Sequence, residues 1–173
     1  MTDAKICCFT GHRSIDYSDL LRLDGLLART ITKLAMSGVK IYRAGGAIGF
    51  DTLAALKVIE LRESLGLELE LILPCRNQSE KWCPRDRKYY DYILSRADRH
   101  RYISDVYTRD CMLERDRRLV DGSDFCVAFC KKSTGGTAYT LCYAIKSGLE
   151  IINLADEISA GHEGTGDALT FRT

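Results

Sequence analysis

The chain has 173 residues, of which 46% are hydrophobic and 28% charged, and this composition predicts one globular domain with a core of its own. Its formal net charge is only +1, so the overall charge does not indicate nucleic acid or an acidic membrane surface as a partner. The apolar runs are too short to span a membrane, and most of the eight cysteines lie within them without a CxxC pair, which predicts reduced thiols, no metal site and a cytoplasmic location.

The chain opens with a strand pattern followed by a helix pattern. Residues 5–9 are a short apolar run that predicts the first strand, and the polar turn Thr10-Gly11-His12-Arg13 comes directly after it. Ser18 is the predicted N-cap of the next helix, in which leucine and isoleucine recur at helical spacing. His12 has two interpretations of equal weight: a group that acts on a ligand as acid, base or hydrogen-bond donor, or a loop histidine with a structural hydrogen bond.

A second strand, over residues 39–43, leads into a glycine-rich turn with Gly45, Gly46 and Gly49. A helix is expected over about residues 48–64, and a third strand over residues 67–73. Glycines between a strand and a helix suit phosphate binding, although their spacing matches neither the dinucleotide fingerprint nor a Walker motif. Asp51 is compatible with a contact to ribose or base, and also with the commoner role of stabilising the helix N-terminus.

The middle of the chain, residues 76–118, is basic, with twelve Lys or Arg against eight Asp or Glu. Its predicted elements are a helix over about residues 86–97, a strand over residues 101–104, and a helix capped by Thr108 that runs to residue 120. Arg115 and Arg117 on the last helix can bind a phosphate bidentately, although a solvated helix face is the commoner explanation of such charges. Trp82, in a polar loop, either stacks on a base or packs against the protein.

The last third of the chain contains the most suggestive turn. Residues 125–130 are a continuous apolar run, typical of a strand covered on both faces, and Gly135-Gly136 follows as a tight turn. Thr137 is the predicted N-cap of a helix whose inner face is expected to carry Leu141, Ala144 and Ile145. A glycine turn at a helix N-terminus favours anion binding, and an ordinary tight turn explains the pattern equally well.

The order of these elements predicts an α/β fold, a Rossmann-like three-layer sandwich with a mainly parallel sheet flanked by helices. One domain is expected over residues 1–154, ending in a strand over residues 150–154, and a mobile polar tail over residues 155–173. In such sheets, ligands bind beyond the carboxyl ends of the strands, where the three polar or glycine turns are predicted to converge. In particular, Arg13, Asp51 and Thr137 are expected to open onto one pocket.

An ordered set of short motifs resembles the SLOG superfamily, named for the Smf/DprA and LOG proteins, and within it the YpsA-like branch. The motifs are Phe9-Thr10-Gly11-His12-Arg13, Gly45 with Ala47-Ile48-Gly49-Phe50-Asp51, Leu73-Pro74-Cys75 with Gln78 and Trp82, Cys111-Met112 with Arg115-Asp116-Arg117, and Gly135-Gly136-Thr137. The resemblance implies a Rossmann-like fold and a ligand of the nucleotide type. The branch usually carries Asn where this chain has Asp116, a departure that weakens the expected anion site.

Some relatives implied by this resemblance, the LOG enzymes, cleave the N-glycosidic bond of nucleoside monophosphates with an arginine and a glutamate. When their glycine motif is aligned on Gly136-Thr137, Thr140 occupies the position of that glutamate. Threonine cannot supply the charge that stabilises a developing oxocarbenium ion, which counts against LOG-type hydrolysis. Another relative, DprA, binds single-stranded DNA, but the near-neutral charge of this chain gives little support to that function.

The first hypothesis is therefore a cytoplasmic nucleotide-binding protein that acts as a sensor or regulator, linked by the resemblance to cell division or stress responses. The expected ligand is of the AMP, NAD or ADP-ribose class, no metal is expected, and a homodimer is possible. The predicted ligand-binding residues are Thr10, Gly11, His12, Arg13, Gly45, Gly46, Gly49, Asp51, Gln78, Trp82, Arg115, Arg117, Gly135, Gly136 and Thr137.

Two other functions stay open on the sequence alone. The first is an enzyme that hydrolyses a nucleotide N-glycosidic bond, with His12 or Asp51 in place of the missing glutamate. The second is a single-stranded nucleic-acid binder that uses the basic middle segment. No triad of nucleophile, base and acid is recognisable in the sequence, so the pattern favours binding over catalysis.

Overall fold

Strands and helices alternate strictly along residues 4–163, the part of the chain that the computed structural model describes. The elements are β1 Lys5–Gly11, α1 Tyr17–Met36, β2 Val39–Ala44, α2 Phe50–Leu65, β3 Glu68–Cys75, α3 Pro84–Arg96, β4 Arg99–Ser104, α4 Cys111–Val120, β5 Phe125–Phe129, α5 Gly136–Lys146, β6 Glu150–Asn153 and α6 Leu154–Glu163. None of these helices has the length and apolar content that crossing a bilayer requires.

The strands form one sheet in the order β4-β3-β2-β1-β5-β6, and every neighbouring pair is parallel. The chain builds outward from β1 to β4 and then returns to add β5 on the other side of β1. This reversal makes the gap between the carboxyl ends of β1 and β5 the topological switch point, where open α/β sheets bind ligands. The predicted Rossmann-like α/β fold is confirmed.

Two hydrophobic cores, one on each face of the sheet, complete the three layers. The larger core lies under α1, α2, α3 and α6, and the smaller one lies under α4 and α5. Consecutive residues of β1 point to opposite faces, as the pleat requires: Cys7 and Phe9 belong to the larger core and Cys8 to the smaller. The sheet is therefore buried on both sides, which explains the continuous apolar runs in its central strands.

The helix caps differ in part from the prediction. Helix α1 begins at Tyr17 with Asp16 as its N-cap, so Ser18 lies inside the first turn. Thr137 likewise lies inside α5, because the N-cap is Gly135, whose φ of 96° is a conformation that glycine adopts readily. The N-cap of α4 is Asp110 and not Thr108, although the Thr108 hydroxyl accepts a hydrogen bond of 3.1 Å from the first N–H of the helix.

The prediction of a mobile tail from residue 155 is wrong for residues 155–163, which belong to α6. Leu154, Ala155 and Ile158 are buried and join the larger core, so a short apolar stripe at helical spacing holds this segment on the sheet. The last strand also ends one residue early, because Asn153 turns the chain. Its side-chain carbonyl accepts a hydrogen bond from the N–H of Ala155 at 3.3 Å. Residues 164–173 of the predicted tail lie outside the described part.

Candidate functional site

A cavity of about 210 Å³ opens at the carboxyl end of β1, at the switch point of the sheet. It is bounded by the turns after β1 and β2, by one face of α4 and by the first turns of α5. Its lining residues are Phe9, Thr10, Gly11, Arg13, Ala47, Asp51, Met112, Arg115, Asp116, Leu119, Gly136, Thr137 and Thr140. Four segments that are far apart in the sequence therefore meet here, and they bring together the predicted trio of Arg13, Asp51 and Thr137.

Arg115 is the centre of a buried network in this cavity. Its Nη1 donates a hydrogen bond of 2.7 Å to the carbonyl of Gly45, and its Nε donates one of 2.8 Å to Oδ1 of Asp116. A Cβ at Gly45 would collide with the guanidinium, so this glycine is required by the close approach of Arg115. Because the arginine is 94% buried and already paired, it holds α4 against the turn after β2.

Asp51 closes the same turn from the other side. Its Oδ2 accepts hydrogen bonds from the backbone N–H groups of Gly45, at 3.1 Å, and Ala47, at 3.3 Å. The carboxylate thus satisfies two donors that the sharp turn removes from regular secondary structure. Burial raises the pKa of Asp51, while the nearby Arg115 guanidinium and the two N–H groups oppose that rise.

Asp116 is a second buried carboxylate in the cavity. Burial raises its pKa, and the guanidinium of Arg115, a hydrogen bond from Thr140 and the charge of Arg13 oppose the rise. The Thr140 hydroxyl also lies 2.9 Å from the carbonyl of Gly136. The cavity therefore contains two arginines and two carboxylates, and its formal charges balance.

The first turn of α5 faces the cavity. Gly136 and Thr137 line the cavity at the start of the helix, where backbone N–H groups have no intrahelical acceptor and the helix dipole is positive. A Cβ built on Gly136 would meet no protein atom within 4 Å. The fold itself therefore tolerates a side chain at this position, unlike at Gly45.

His12, Gly49 and Gly135 lie next to the cavity without lining it. The Nε2 of His12 accepts a hydrogen bond of 2.8 Å from the N–H of Lys131, and the backbone N–H of His12 donates one of 3.2 Å to the carbonyl of Phe129. A Cβ at Gly49 would collide with the backbone of His12, and Gly135 is the residue before the lining Gly136. These contacts are structural, and the predicted ligand contacts of the three residues stay predictions.

Other predicted residues lie on neighbouring surfaces. Gln78 and Trp82 line a separate groove of about 310 Å³, where Trp82 packs edge-on against Tyr90 at 5.5 Å between ring centroids. Gln78 also donates a hydrogen bond of 3.4 Å to the carbonyl of Gly46. Arg117 is exposed and donates to the hydroxyl of Tyr139 at 2.9 Å. The structure does not bring these side chains into the cavity with Arg13 and Asp51.

The sequence prediction did not include Asp116 or Thr140 among the binding residues, although both line the cavity. A helical pattern on α4 was available to find the first of them. One face of this helix carries Met112, Arg115, Asp116 and Leu119, because successive members of the set are three, one and three residues apart. Because Arg115 is a predicted site residue, the helical spacing is the signal by which its neighbour Asp116 could have been included.

Comparison with known proteins agrees with this architecture. The family model YpsA, described as the YspA SLOG family, matches residues 7–151. The chain belongs to the YspA SLOG family. The resemblance found in the sequence motifs is thereby confirmed, and the cavity residues from Phe9 to Thr140 all lie within the matched segment.

Relatives of this YspA SLOG chain include two UPF0398 proteins. One, from Brevibacillus brevis, is 35% identical over 104 residues, which cover 57% of this chain and 54% of that protein. Another, from Bacillus cereus strain G9842, is 34% identical over 102 residues, or 54% of this chain and 55% of that protein. The matched part of the chain thus spans about half the length of these curated relatives.

Among solved structures, DNA processing protein A (DprA) has the same fold. The Helicobacter pylori protein, described by its single-stranded DNA binding mode, superposes with a TM-score of 0.60 at 14% identity, covering 92% of this chain and 73% of that one. The Streptococcus pneumoniae protein gives a TM-score of 0.53 at 12% identity, covering 91% and 61%. At these identities the likeness shows the shared fold alone.

Proposed function

We propose that this YspA SLOG chain binds a nucleotide or a related phosphorylated small molecule in the switch-point cavity. One observation carries the proposal: the open first turn of α5, at Gly136 and Thr137, shares a cavity with Arg13. Backbone N–H groups, a positive helix end and a guanidinium are the groups that phosphate oxygens bind best. Their meeting at the switch point of a parallel sheet supports a phosphate site there.

The remaining cavity groups suit the sugar of such a ligand. Arg115 is already paired with Asp116 and with the Gly45 carbonyl, so Arg13 is the better partner for an incoming phosphate. The carboxylates of Asp51 and Asp116 are hydrogen-bond acceptors, and ribose hydroxyl groups are donors that match them. The expected ligand is therefore a phosphate attached to a sugar, as in AMP, NAD or ADP-ribose.

The proposed role is that of a sensor or regulator, as the sequence resemblance implies. Binding without a reaction requires only the phosphate and sugar contacts described above. Hydrolysis of an N-glycosidic bond would need a carboxylate placed at the scissile bond, which is a separate requirement. Incubation of the protein with AMP, NAD and ADP-ribose, followed by chromatography for the released base, separates the two functions. Turnover at about 1 s⁻¹ or faster, in the range of ordinary enzymes, would overturn the sensor role and favour the hydrolase.

The binding proposal is tested with the substitution Gly136→Ala. The position has space for a methyl group in the protein itself, so the variant should fold, but the methyl group would occupy the space that a phosphate needs. Thermal unfolding is measured with and without AMP, NAD and ADP-ribose. A ligand at about 100 times its Kd should add about 2.7 kcal/mol to the unfolding free energy of the wild type, and Gly136→Ala should lose most of that gain.

Gly25→Ala is the matched control, since Gly25 is an exposed glycine of α1 that also has no atom within 4 Å of a built Cβ. This variant should keep the full ligand-induced shift. The proposal fails if none of the three ligands stabilises the wild type, or if Gly136→Ala responds to them as the wild type does.

A further inference from the structure

The charged groups inside the cavity make the entry of an anion costly. Arg13 and Arg115 share the cavity with Asp51 and Asp116, so its lining has no net formal charge. A phosphate monoester brings a charge of about −1.5 to −2 at pH 7. Both carboxylates are more than nine-tenths buried, where water screens a new negative charge poorly. Uptake of a proton by one of them would remove part of this repulsion.

Asp116 has neighbours that suit both its ionised and its protonated form. Its Oδ1 accepts a hydrogen bond of 2.8 Å from Nε of Arg115, and the hydroxyl of Thr140 lies within hydrogen-bonding reach of the carboxylate. The same hydroxyl lies 2.9 Å from the carbonyl of Gly136, and it has only one proton to donate. When that proton points to Gly136, the Thr140 oxygen is free to accept a hydrogen bond from a protonated Asp116.

Asp51 does not have this choice. Its Oδ2 accepts hydrogen bonds from the backbone N–H groups of Gly45 and Ala47, at 3.1 and 3.3 Å. An N–H group can only donate, so these two contacts favour the ionised form of Asp51. Of the two carboxylates, Asp116 is therefore the one whose surroundings accommodate an added proton.

The charged groups around Asp116 come from three parts of the chain. Arg115 belongs to its own helix, Arg13 to the turn after β1 and Asp51 to α2, while the residues of α5 that line the cavity carry no charge. Burial raises the pKa of Asp116, and the two arginines oppose that rise. A phosphate bound to Arg13 would weaken this opposition and add a negative charge nearby, so both changes favour the protonated form.

We propose that Asp116 takes up one proton when a phosphate binds at Gly136, while the Thr140 hydroxyl turns from Asp116 to the Gly136 carbonyl. The inference rests on the proposed function, because it uses the cavity as the phosphate site. The proton comes from the solvent and returns to it when the ligand leaves. Affinity for the ligand should then fall as the pH rises, by up to about tenfold per pH unit. The site would thus respond to pH and ligand together.

The test counts the protons that are taken up with the ligand. Calorimetric titrations with AMP, NAD and ADP-ribose at pH 7.5, in buffers of different protonation enthalpy, give this number for whichever ligand binds. We expect about one proton for the wild type and a clear loss of affinity between pH 7.5 and pH 8.5. Asp116→Asn keeps the shape of the side chain and cannot ionise. This variant should take up no proton and keep its affinity over the same range.

Glu114→Gln is the matched control for the loss of a carboxylate from α4. Glu114 accepts a hydrogen bond of 2.9 Å from Arg118 and does not line the cavity, so this variant should take up a proton as the wild type does. Thr140→Val tests the same proposal without changing a charge. It removes the acceptor for protonated Asp116 and should reduce proton uptake, whereas Thr140→Ser should keep it.

Three results would overturn the coupling and leave the phosphate site standing. They are ligand binding to the wild type without proton uptake, undiminished uptake in Asp116→Asn, which would assign the proton to the ligand or to another group, and undiminished uptake in Thr140→Val. If none of the three ligands binds the wild type, the proposed function fails and the coupling fails with it.

Discussion

The imidazole of His12 joins segments of the chain that are more than a hundred residues apart. It follows β1, and its Nε2 accepts a hydrogen bond from the N–H of Lys131 after β5. The backbone carbonyl of His12 also accepts a hydrogen bond of 3.1 Å from the N–H of Phe50 at the start of α2. From the sequence, a ligand-binding histidine and a structural histidine were equally good interpretations. The observed hydrogen bonds show that His12 has a structural role. No local sequence pattern could reveal this role, because both partners are distant in the sequence.

The titration of His12 should contribute to the pH dependence of stability. Burial, and then the charges of Lys132 and Lys131, lower its pKa from the ordinary value of 6.5. Since the unfolded chain then takes up a proton at higher pH than the folded protein, this contribution is present above pH 6.5 and is lost as the pH falls below it. His12→Gln, which has an amide oxygen as acceptor but no titrating ring, should lose less stability than the wild type between pH 7 and pH 5.5.

Urea unfolding at a series of pH values measures this difference. The buried carboxylates Asp51 and Asp116 have raised pKa values and act with the opposite sign, so that stability falls as the pH rises through their titration. They are the same in both proteins and cancel in the comparison. Parallel curves for the wild type and His12→Gln would show that His12 does not titrate in this range.

Asp51 shows where prediction at a single residue reached its limit. The sequence placed it at a helix start, and a carboxylate there is expected whether or not a ligand binds. Its actual partners are the N–H groups of Gly45 and Ala47, with Arg115 of α4 nearby. The first two are local and could be anticipated from a tight turn. The arginine comes from an element 64 residues away, and only the packing of α4 on the sheet brings it there.

At the scale of helices and strands, periodicity identified the elements whose apolar faces are long. The predicted inner face of α5 is wrong at Ile145, which is 57% exposed. Ala144 is fully buried one position earlier, and a rotation of about 100° per residue carries Ile145 away from the sheet. The sequence does not predict α6, because its apolar stripe consists of few residues and the segment that follows is polar and rich in glycine.

The buried stripe of α6 makes a prediction about stability. Leu154 is fully buried and Ile158 is 3% exposed, both in the larger core. Replacing either by Ala should lower the free energy of unfolding by about 2–5 kcal/mol, through lost burial and the cavity left behind. Ile145→Ala, an equal truncation on an exposed surface, should cost about 0.5 kcal/mol or less. Chemical denaturation measures all three, and a Leu154→Ala protein as stable as Ile145→Ala would contradict the packing of α6.

For the whole molecule, the alternation of strands and helices was enough to predict both the fold and the location of the cavity. Because all strands are parallel, every strand–helix turn lies at the same edge of the sheet, and the reversal of strand order selects the point between β1 and β5. Trp82 shows why the individual residues that line the cavity could not all be predicted in the same way. The loop before α3 follows β3, one strand removed from β1, so its aromatic ring packs on Tyr90 and not in the cavity.

The overall distribution of charge bears on the choice between a small ligand and a nucleic acid. The basic middle segment contains most of the candidate DNA contacts, but within the described residues five of its arginines pair with carboxylates. These arginines are Arg76, Arg85, Arg99, Arg115 and Arg118. With a net charge of +1 and a cavity whose own charges balance, the molecule has little excess positive charge to neutralise a long polyanion.

Binding in the cavity should therefore depend weakly on salt. Titration of the protein with AMP at 50 and 200 mM NaCl should show a loss of affinity of less than about tenfold, because the proposed site would hold only one phosphate. A protein that contacts six to ten phosphates of a strand loses about 10³–10⁵ in affinity over the same range. A single-stranded 20-mer is titrated in parallel by fluorescence anisotropy. The assignment would be reversed if the 20-mer bound tightly at 50 mM NaCl, lost affinity steeply at 200 mM, and AMP did not bind. The paired arginines would then have to exchange their carboxylates for phosphates. The chain would in that case resemble the DNA-binding H. pylori protein in ligand as well as in fold.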